Sequence, residues 1–157
     1  MALLTWLESS GLGTWVREAS SIFAFPMILT LHTIGLGLLA GSSAVVDIRL
    51  LGIGGRVPLA PMRSLFRVMW AGFWLNLLTG SLLFAAQASV RGTSLFFLAK
   101  MTMVAVGVLT MVLLQREVLG TAPPARTATA SRTRVLAVAS LVAWTAAITA
   151  GRLLAYV

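Results

Sequence analysis

The residue on which chemistry could turn is His32, the single histidine in a chain of 157 residues. It stands in an apolar run, roughly 15 Å from where that run begins if the run is helical. An ionisable side chain at such a depth in hydrocarbon is costly and faces protein, a cofactor or a water-filled cavity, which makes it a functional hypothesis by default. One histidine cannot supply both imidazole ligands of a bis-histidine haem within one chain. It leaves a His–Met pair, an open five-coordinate site, or a symmetric site shared between two copies. Met103 falls at about the same depth on a later apolar run, and its thioether could complete a haem or copper shell around His32 as metal ligand. Lys100 and Arg152 stand nearer the same rim, where two cations could bind haem propionates, an anionic lipid or a quinone headgroup. Each has a plainer alternative. The imidazole could bond to a Ser or Thr on a neighbouring helix, the methionine could fill core space, and the cations could snorkel to headgroups.

Hydrophobic residues make up 59% of the chain and charged residues 10%. The apolar residues fall in blocks that reach the ~20 residues a helix needs to cross a membrane. Spans are expected at 22–50, 65–90, 95–114 and 135–157. The expected fold class is all-α, an integral membrane four-helix bundle in one domain covering 1–157. A short interfacial amphipathic segment over 2–19 precedes it, with Leu3, Leu4, Trp6, Leu7, Leu12, Trp15 and Val16 alternating in clusters with Glu8, Ser9, Ser10, Arg17 and Glu18. Trp6 and Trp15 suit the headgroup level. Pro123 and Pro124 mark 121–133 as a mobile cytoplasmic loop.

Basic residues set the orientation. Arg49, Arg56, Arg63 and Arg67 flank the first connection and Arg116, Arg126, Arg132 and Arg134 the third, whereas Arg17, Arg91, Lys100 and Arg152 fall at the other side. The positive-inside rule then puts both termini outside. The net charge of +8 is mostly topology, and arginines hugging span ends are not the solvated, aromatic-lined surface of a nucleic-acid binder. Without cysteine there are no disulfides, thiolate metal sites or thiol catalysis. Met1 to Trp15 lacks the basic and compact apolar regions of a cleavable signal, so the segment is expected to be retained.

At helical spacing, Phe25, Ile28, Gly35, Leu36, Leu39, Ser43 and Val46 share the side of His32, with Gly37, Gly41 and Ala44 roughly opposite. Small residues four apart invite close approach of another helix, within the chain or from a second copy. Pro26 is expected to bend this helix. The second span carries Met69, Gly72, Asn76, Gly80 and Gln87 on one stripe with Thr79 beside it. Asn76 and Gln87 read as a polar packing network. Trp70 and Trp74 read as packing or as a stack against a planar ligand. Asp47 is expected to pair with an arginine of the first connection. A Ser–His–acid hydrolase is disfavoured because Asp47 lies ~22 Å along the helix from His32. A pump is disfavoured by the lack of a nucleotide-binding Gly-Lys motif and the scarcity of buried acids. The expectation is no independent catalytic activity.

Glu8-Ser9-Ser10, Trp15-Val16-Arg17-Glu18, Pro26, His32, Gly35, Gly41, Asp47-Ile48-Arg49-Leu50-Leu51-Gly52, Trp70-Ala71-Gly72-Phe73, Thr79-Gly80, Leu83-Phe84 and Lys100 together resemble a family of small bacterial four-span membrane proteins with no established activity. More distantly, the first span resembles copper-resistance D and cytochrome b561-type four-helix proteins, without the paired histidines of the latter. These likenesses imply a bacterial inner membrane and a haem, electron-transfer or copper setting. Three functions follow as expectations: a redox subunit holding haem b or a quinone through His32, an accessory subunit of a homo-oligomer or larger complex, and a copper or small-solute conduit. Membrane lipids are the expected surroundings in all three.

Overall fold

A computed structural model describes residues 1–53, 62–120 and 128–154, and no strand occurs among the described residues. Two short helices come first, α1 (Ala2–Glu8) and α2 (Gly11–Glu18). The long helices are α3 (Phe25–Leu50), α4 (Met62–Ala85), α6 (Leu95–Leu119) and α7 (Ala128–Leu153), with the short α5 (Ala88–Gly92) between α4 and α6. All four long helices have stretches long and apolar enough to cross a membrane. The all-α, four-span architecture is thus the one expected.

Helix ends differ from the expected bounds for local reasons. Pro26 lies in the first turn of α3, where its missing N–H is unneeded, so it opens the helix at Phe25 instead of bending it. α4 stops at Ala85, and Gln87 (φ −143°, ψ 38°) sits in the break before α5. α6 runs on to Leu119, and α7 already begins at Ala128, inside the stretch expected as a loop. Alanine-rich sequence after the last proline favours that early start. Arg56, Pro123, Pro124 and Arg126 lie outside the described residues.

α3 packs against α4, α6 against α7, and α3 against α7 joins the two hairpins. The seams close at glycines. A Cβ on Gly72 would stand 2.7 Å from both the Gly35 oxygen and the Leu39 nitrogen, so the α3 and α4 backbones touch there. Gly107 of α6 lies under the Trp144 indole of α7, where a Cβ would come within 2.8 Å of Cε2. Gly37 and Gly41 have nothing within 4 Å of a Cβ position. The close approach expected at Gly37 and Gly41 therefore does not occur among the described residues. It occurs on the face of His32, which also buries Ile28, Leu39, Ser43 and Val46.

The buried apolar residues form two clusters. Leu39, Val46, Phe66, Met69, Met111, Leu114 and Trp144 fill one half of the bundle, and Val16, Ile28 and Ala86 join α2 to the other end. His32 and Asn76 fall between them in chain order.

The short helices cap one end of the bundle. Glu8 accepts from the Ser89 amide at 2.8 Å and from the Ser89 hydroxyl. Arg17 donates to Glu8 Oε1 at 3.4 Å and to the Ala86 carbonyl at 3.3 Å. Gly13 must be bare, because a Cβ would sit 2.6 Å from the Glu8 oxygen and 2.9 Å from that of Ala85. Leu3, Trp6 and Leu12 point away and stay exposed, a surface suited to the boundary between headgroups and acyl chains.

The two Ser89 hydrogen bonds, helped by Arg17 and opposed by desolvation, hold the Glu8 carboxyl below its ordinary value of 4.5. A carboxyl depressed in the folded state stabilises the cap fully above its unfolded value and loses that contribution as pH falls through the folded one. Acidification below 4.5 is therefore expected to speed amide hydrogen exchange in α1 and α5. Glu8→Gln should show the faster exchange already at neutral pH and no acid response of its own. An identical acid response in Glu8→Gln would remove Glu8 as the cause.

Candidate functional site

His32 meets α4 at two consecutive residues. Its Nδ1 lies 3.0 Å from Thr79 Oγ1, and its Cε1 faces Gly80, where a Cβ would stand only 3.1 Å away. Thr79 therefore grips the ring and Gly80 makes room for it. The Thr79 hydroxyl has one hydrogen and donates it to the Leu75 carbonyl at 2.6 Å. Its oxygen is then an acceptor for the ring, which assigns the imidazole proton to Nδ1 and leaves Nε2 with a lone pair. Thr79 is buried and His32 half-buried, so the gripped side faces the bundle.

The surroundings are cationic. Lys100 acts on the ring electrostatically and lays its side chain along α7, with Cε and Nζ at 3.6 and 3.7 Å from the Cβ position of Gly151. Arg91 acts on Lys100 in turn. It is tied down by donating Nε to Gln87 Oε1 at 3.1 Å and Nη1 to the Leu154 carbonyl. The chain's four acids are placed elsewhere. Glu8 and Glu18 bind Arg17, Glu117 binds Arg132, and Asp47 is held by Ser43.

Of the residues singled out from sequence, the structure brings Lys100 to the neighbourhood of His32 and places Arg152 next in chain to Gly151, exposed in the last turn of α7. Asn76 donates Nδ2 to the Gly72 carbonyl at 3.4 Å and borders Gly35, one turn from Thr79, so it belongs to the α3–α4 seam. Gln87 leaves the Asn76 stripe, because α4 has ended, and serves Arg91. Met103 is half-buried on α6, and the polar partners of the ring are the Thr79 hydroxyl and the Asn76 backbone. Gly37 and Gly41 are exposed on the far side of α3. Trp70 donates to Gln115 Oε1 at 2.9 Å and packs edge-on to Phe73, which makes it an α4–α6 strut. Trp74 is 60% exposed.

Asp47 is completely buried and accepts from Ser43 at 3.2 Å; Arg56 of the first connection, one of the arginines expected to meet it, lies outside the described residues. Sequence reasoning named a Ser or Thr of a neighbouring helix as the ring's plainer partner and noted Thr79 on the second span, without joining the two. The available signal was register: two antiparallel helices in contact at Gly35 and Gly72 carry His32 to Asn76 and Thr79 one turn further along.

Two shallow surface depressions lie away from His32, one along α6 by Val112, Gln115 and Leu119, the other along α7 by Val135, Val138 and Val142. Among the described residues no three His, Asp or Glu side chains converge as a metal-binding group. The site is therefore one imidazole held against α4, within electrostatic reach of Lys100, on the flank of a bundle. Residues 3–157 match the model of DUF6644, a family of unknown function. No curated protein and no solved structure matches the chain.

Proposed function

We propose that this chain, which belongs to the DUF6644 family over nearly its whole length, is a small multi-pass subunit of a bacterial inner membrane that holds one b-type haem, or a quinone in its place, through His32 for electron transfer. The observation that carries this reading is the hydrogen bond between His32 Nδ1 and Thr79. Ligating histidines commonly donate their second ring N–H to a protein oxygen, which fixes the tautomer and aims the other nitrogen. Thr79 supplies that oxygen, and Nε2 is the nitrogen left for a ligand. A haem would supply a one-electron couple at iron. Lys100 and Arg152 are the cations for its propionates or for a quinone headgroup.

The half-exposed ring fits docking from the bundle's flank, and the lone histidine fits a five-coordinate or two-chain site. A copper conduit has less support, since it needs Met103 at the ring. By the positive-inside rule the capped end, with both termini, faces outward.

The test is an absorption spectrum of the detergent-purified protein, oxidised and dithionite-reduced, with quinone extraction alongside. A Soret band that shifts on reduction is expected. A flat spectrum with stoichiometric quinone would leave only the quinone form, and the absence of both band and quinone would overturn the redox reading.

The second reading, an accessory subunit, is favoured by one observation: Gly37 and Gly41 present a bare face with no neighbour among the described residues. Membrane helix interfaces are enriched in such small residues. Gly37→Leu and Gly41→Leu are expected to lower the assembly mass in detergent while leaving the fold and any absorption band unchanged. Unaltered mass in both variants would place this face against lipid.

A further inference from the structure

Lys100 stands near the start of α6, half-buried, and its ammonium has no hydrogen-bond or ion-pair partner among the described residues. Its stem lies along α7 at Gly151, with Cε 3.6 Å and Nζ 3.7 Å from the Cβ position. Arg91 reaches the same end of α7 from α5. It donates Nε to Gln87 Oε1 at 3.1 Å and Nη1 to the carbonyl of Leu154, which follows Gly151 by about one helical turn and so lies on the same side. These two acceptors fix the plane of the guanidinium, and Nη2 has no partner among the described residues. Arg91 is close enough to act on the Lys100 charge. No acid among the described residues balances the pair. The C-terminal end of a helix carries only about half a negative charge, against two full positive ones. Glu8, at the same end, is held by Ser89 and Arg17, and Glu18 by Arg17.

We propose that Lys100 and Arg91 bind one phosphate group of an anionic phospholipid at the capped end of the bundle. Lys100 Nζ and Arg91 Nη2 supply charge-assisted donors to one oxyanion, and the phosphate supplies the charge that the protein lacks there. The level along the bundle fits a headgroup. α1 packs on α5 at Gly92, where a Cβ would stand 2.8 Å from Leu4 Cδ1, and Trp6 of α1 is exposed, as an aromatic anchor at the membrane boundary is. Arg91 is next in chain to Gly92, and a lysine within a span can extend its ammonium toward that level. Basic pockets between membrane helices take anionic headgroups. Two cations repel the ammonium of a zwitterionic headgroup, so phosphatidylglycerol is favoured over phosphatidylethanolamine. A haem propionate would offer Lys100 the same oxyanion chemistry, and the two sources give different results below. The lipid site needs no ligand on His32.

The experiment titrates the detergent-purified full chain with phosphatidylglycerol or phosphatidylethanolamine and counts bound lipid by native mass spectrometry. One phosphatidylglycerol per chain is expected at concentrations where phosphatidylethanolamine does not bind, in preparations with or without a Soret band. Lys100→Met keeps the apolar stem along Gly151 and should weaken binding about fivefold, what one basic residue is worth at an anionic surface. Arg91→Gln should weaken it at least as much. Arg67→Gln removes the same charge from an exposed position at the opposite end and should leave binding unchanged. Equal binding of the two lipids, or an equal loss in Arg67→Gln, would reduce the effect to general charge and overturn the proposal. Lys100→Met and Arg91→Gln that keep full lipid binding but lose Soret intensity would also overturn it and give the pair to the propionates. Should Arg91→Gln fail to fold for want of its bond to Leu154, Lys100→Met decides.

Discussion

His32→Ala is expected to abolish the absorption band of the purified protein, and Thr79→Val to weaken ligand binding by about 10- to 100-fold, the usual cost of losing the outer partner of a ligating histidine. Thr79→Val keeps the shape of the side chain but removes the hydroxyl oxygen beside Nδ1, leaving the Asn76 backbone alone to hold the ring, so its orientation loosens. Thr79→Ser keeps the acceptor and should retain most of the affinity. Loss of the fold is a weak competing explanation for the alanine variant. The ring is half-buried, and a typical hydrogen bond contributes only about 0.5–1.5 kcal/mol. Exogenous imidazole should restore the band in His32→Ala, because the space beside Gly80 and the Thr79 oxygen remain. A band that survives His32→Ala would end the haem reading. A Thr79→Val titration indistinguishable from the parent would remove Thr79 as the orienting residue.

Gly72→Ala is expected to destabilise the bundle by about 1–3 kcal/mol or more, the cost of overpacking a closed interior. The new methyl would lie 2.7 Å from two backbone atoms of α3, and backbone cannot swing aside as a side-chain end can. The α3–α4 seam must open, and opening it draws Thr79 away from His32. The same variant should therefore lose part of any His32-dependent band. Gly37→Ala is the control. It meets nothing within 4 Å and replaces glycine with the best helix former, so it should be neutral or stabilising by up to about 1 kcal/mol. Unfolding midpoints in a graded detergent denaturant, measured for both variants, give the comparison. Equal midpoints would contradict the seam.

Length and hydropathy alone determined the four long helices, the short helical segment before them and the all-α class. A run of ~20 apolar residues has few options other than a buried or membrane-crossing helix, because every backbone polar group must bond within the segment. Helical spacing also put Ile28, Gly35, Leu39, Ser43 and Val46 on one face with His32. The direction of each span placed Lys100 and Arg152 toward a common end. Which glycines meet, and what the few polar side chains touch, was decided only by the tertiary structure. Apolar residues are spread almost evenly around α3 and α6, so the amphipathic signal that separates inside from outside in a water-soluble helix is nearly absent. In lipid both faces of a helix are apolar, and contact is selected by shape. That is why Gly35 and Gly72 form the seam while Gly37 and Gly41 remain bare. It is also why Asp47 lies against two serines. The Thr79 oxygen that orients His32 comes from the register of two helices packed backbone to backbone, a relation between distant parts of the chain that no local pattern encodes.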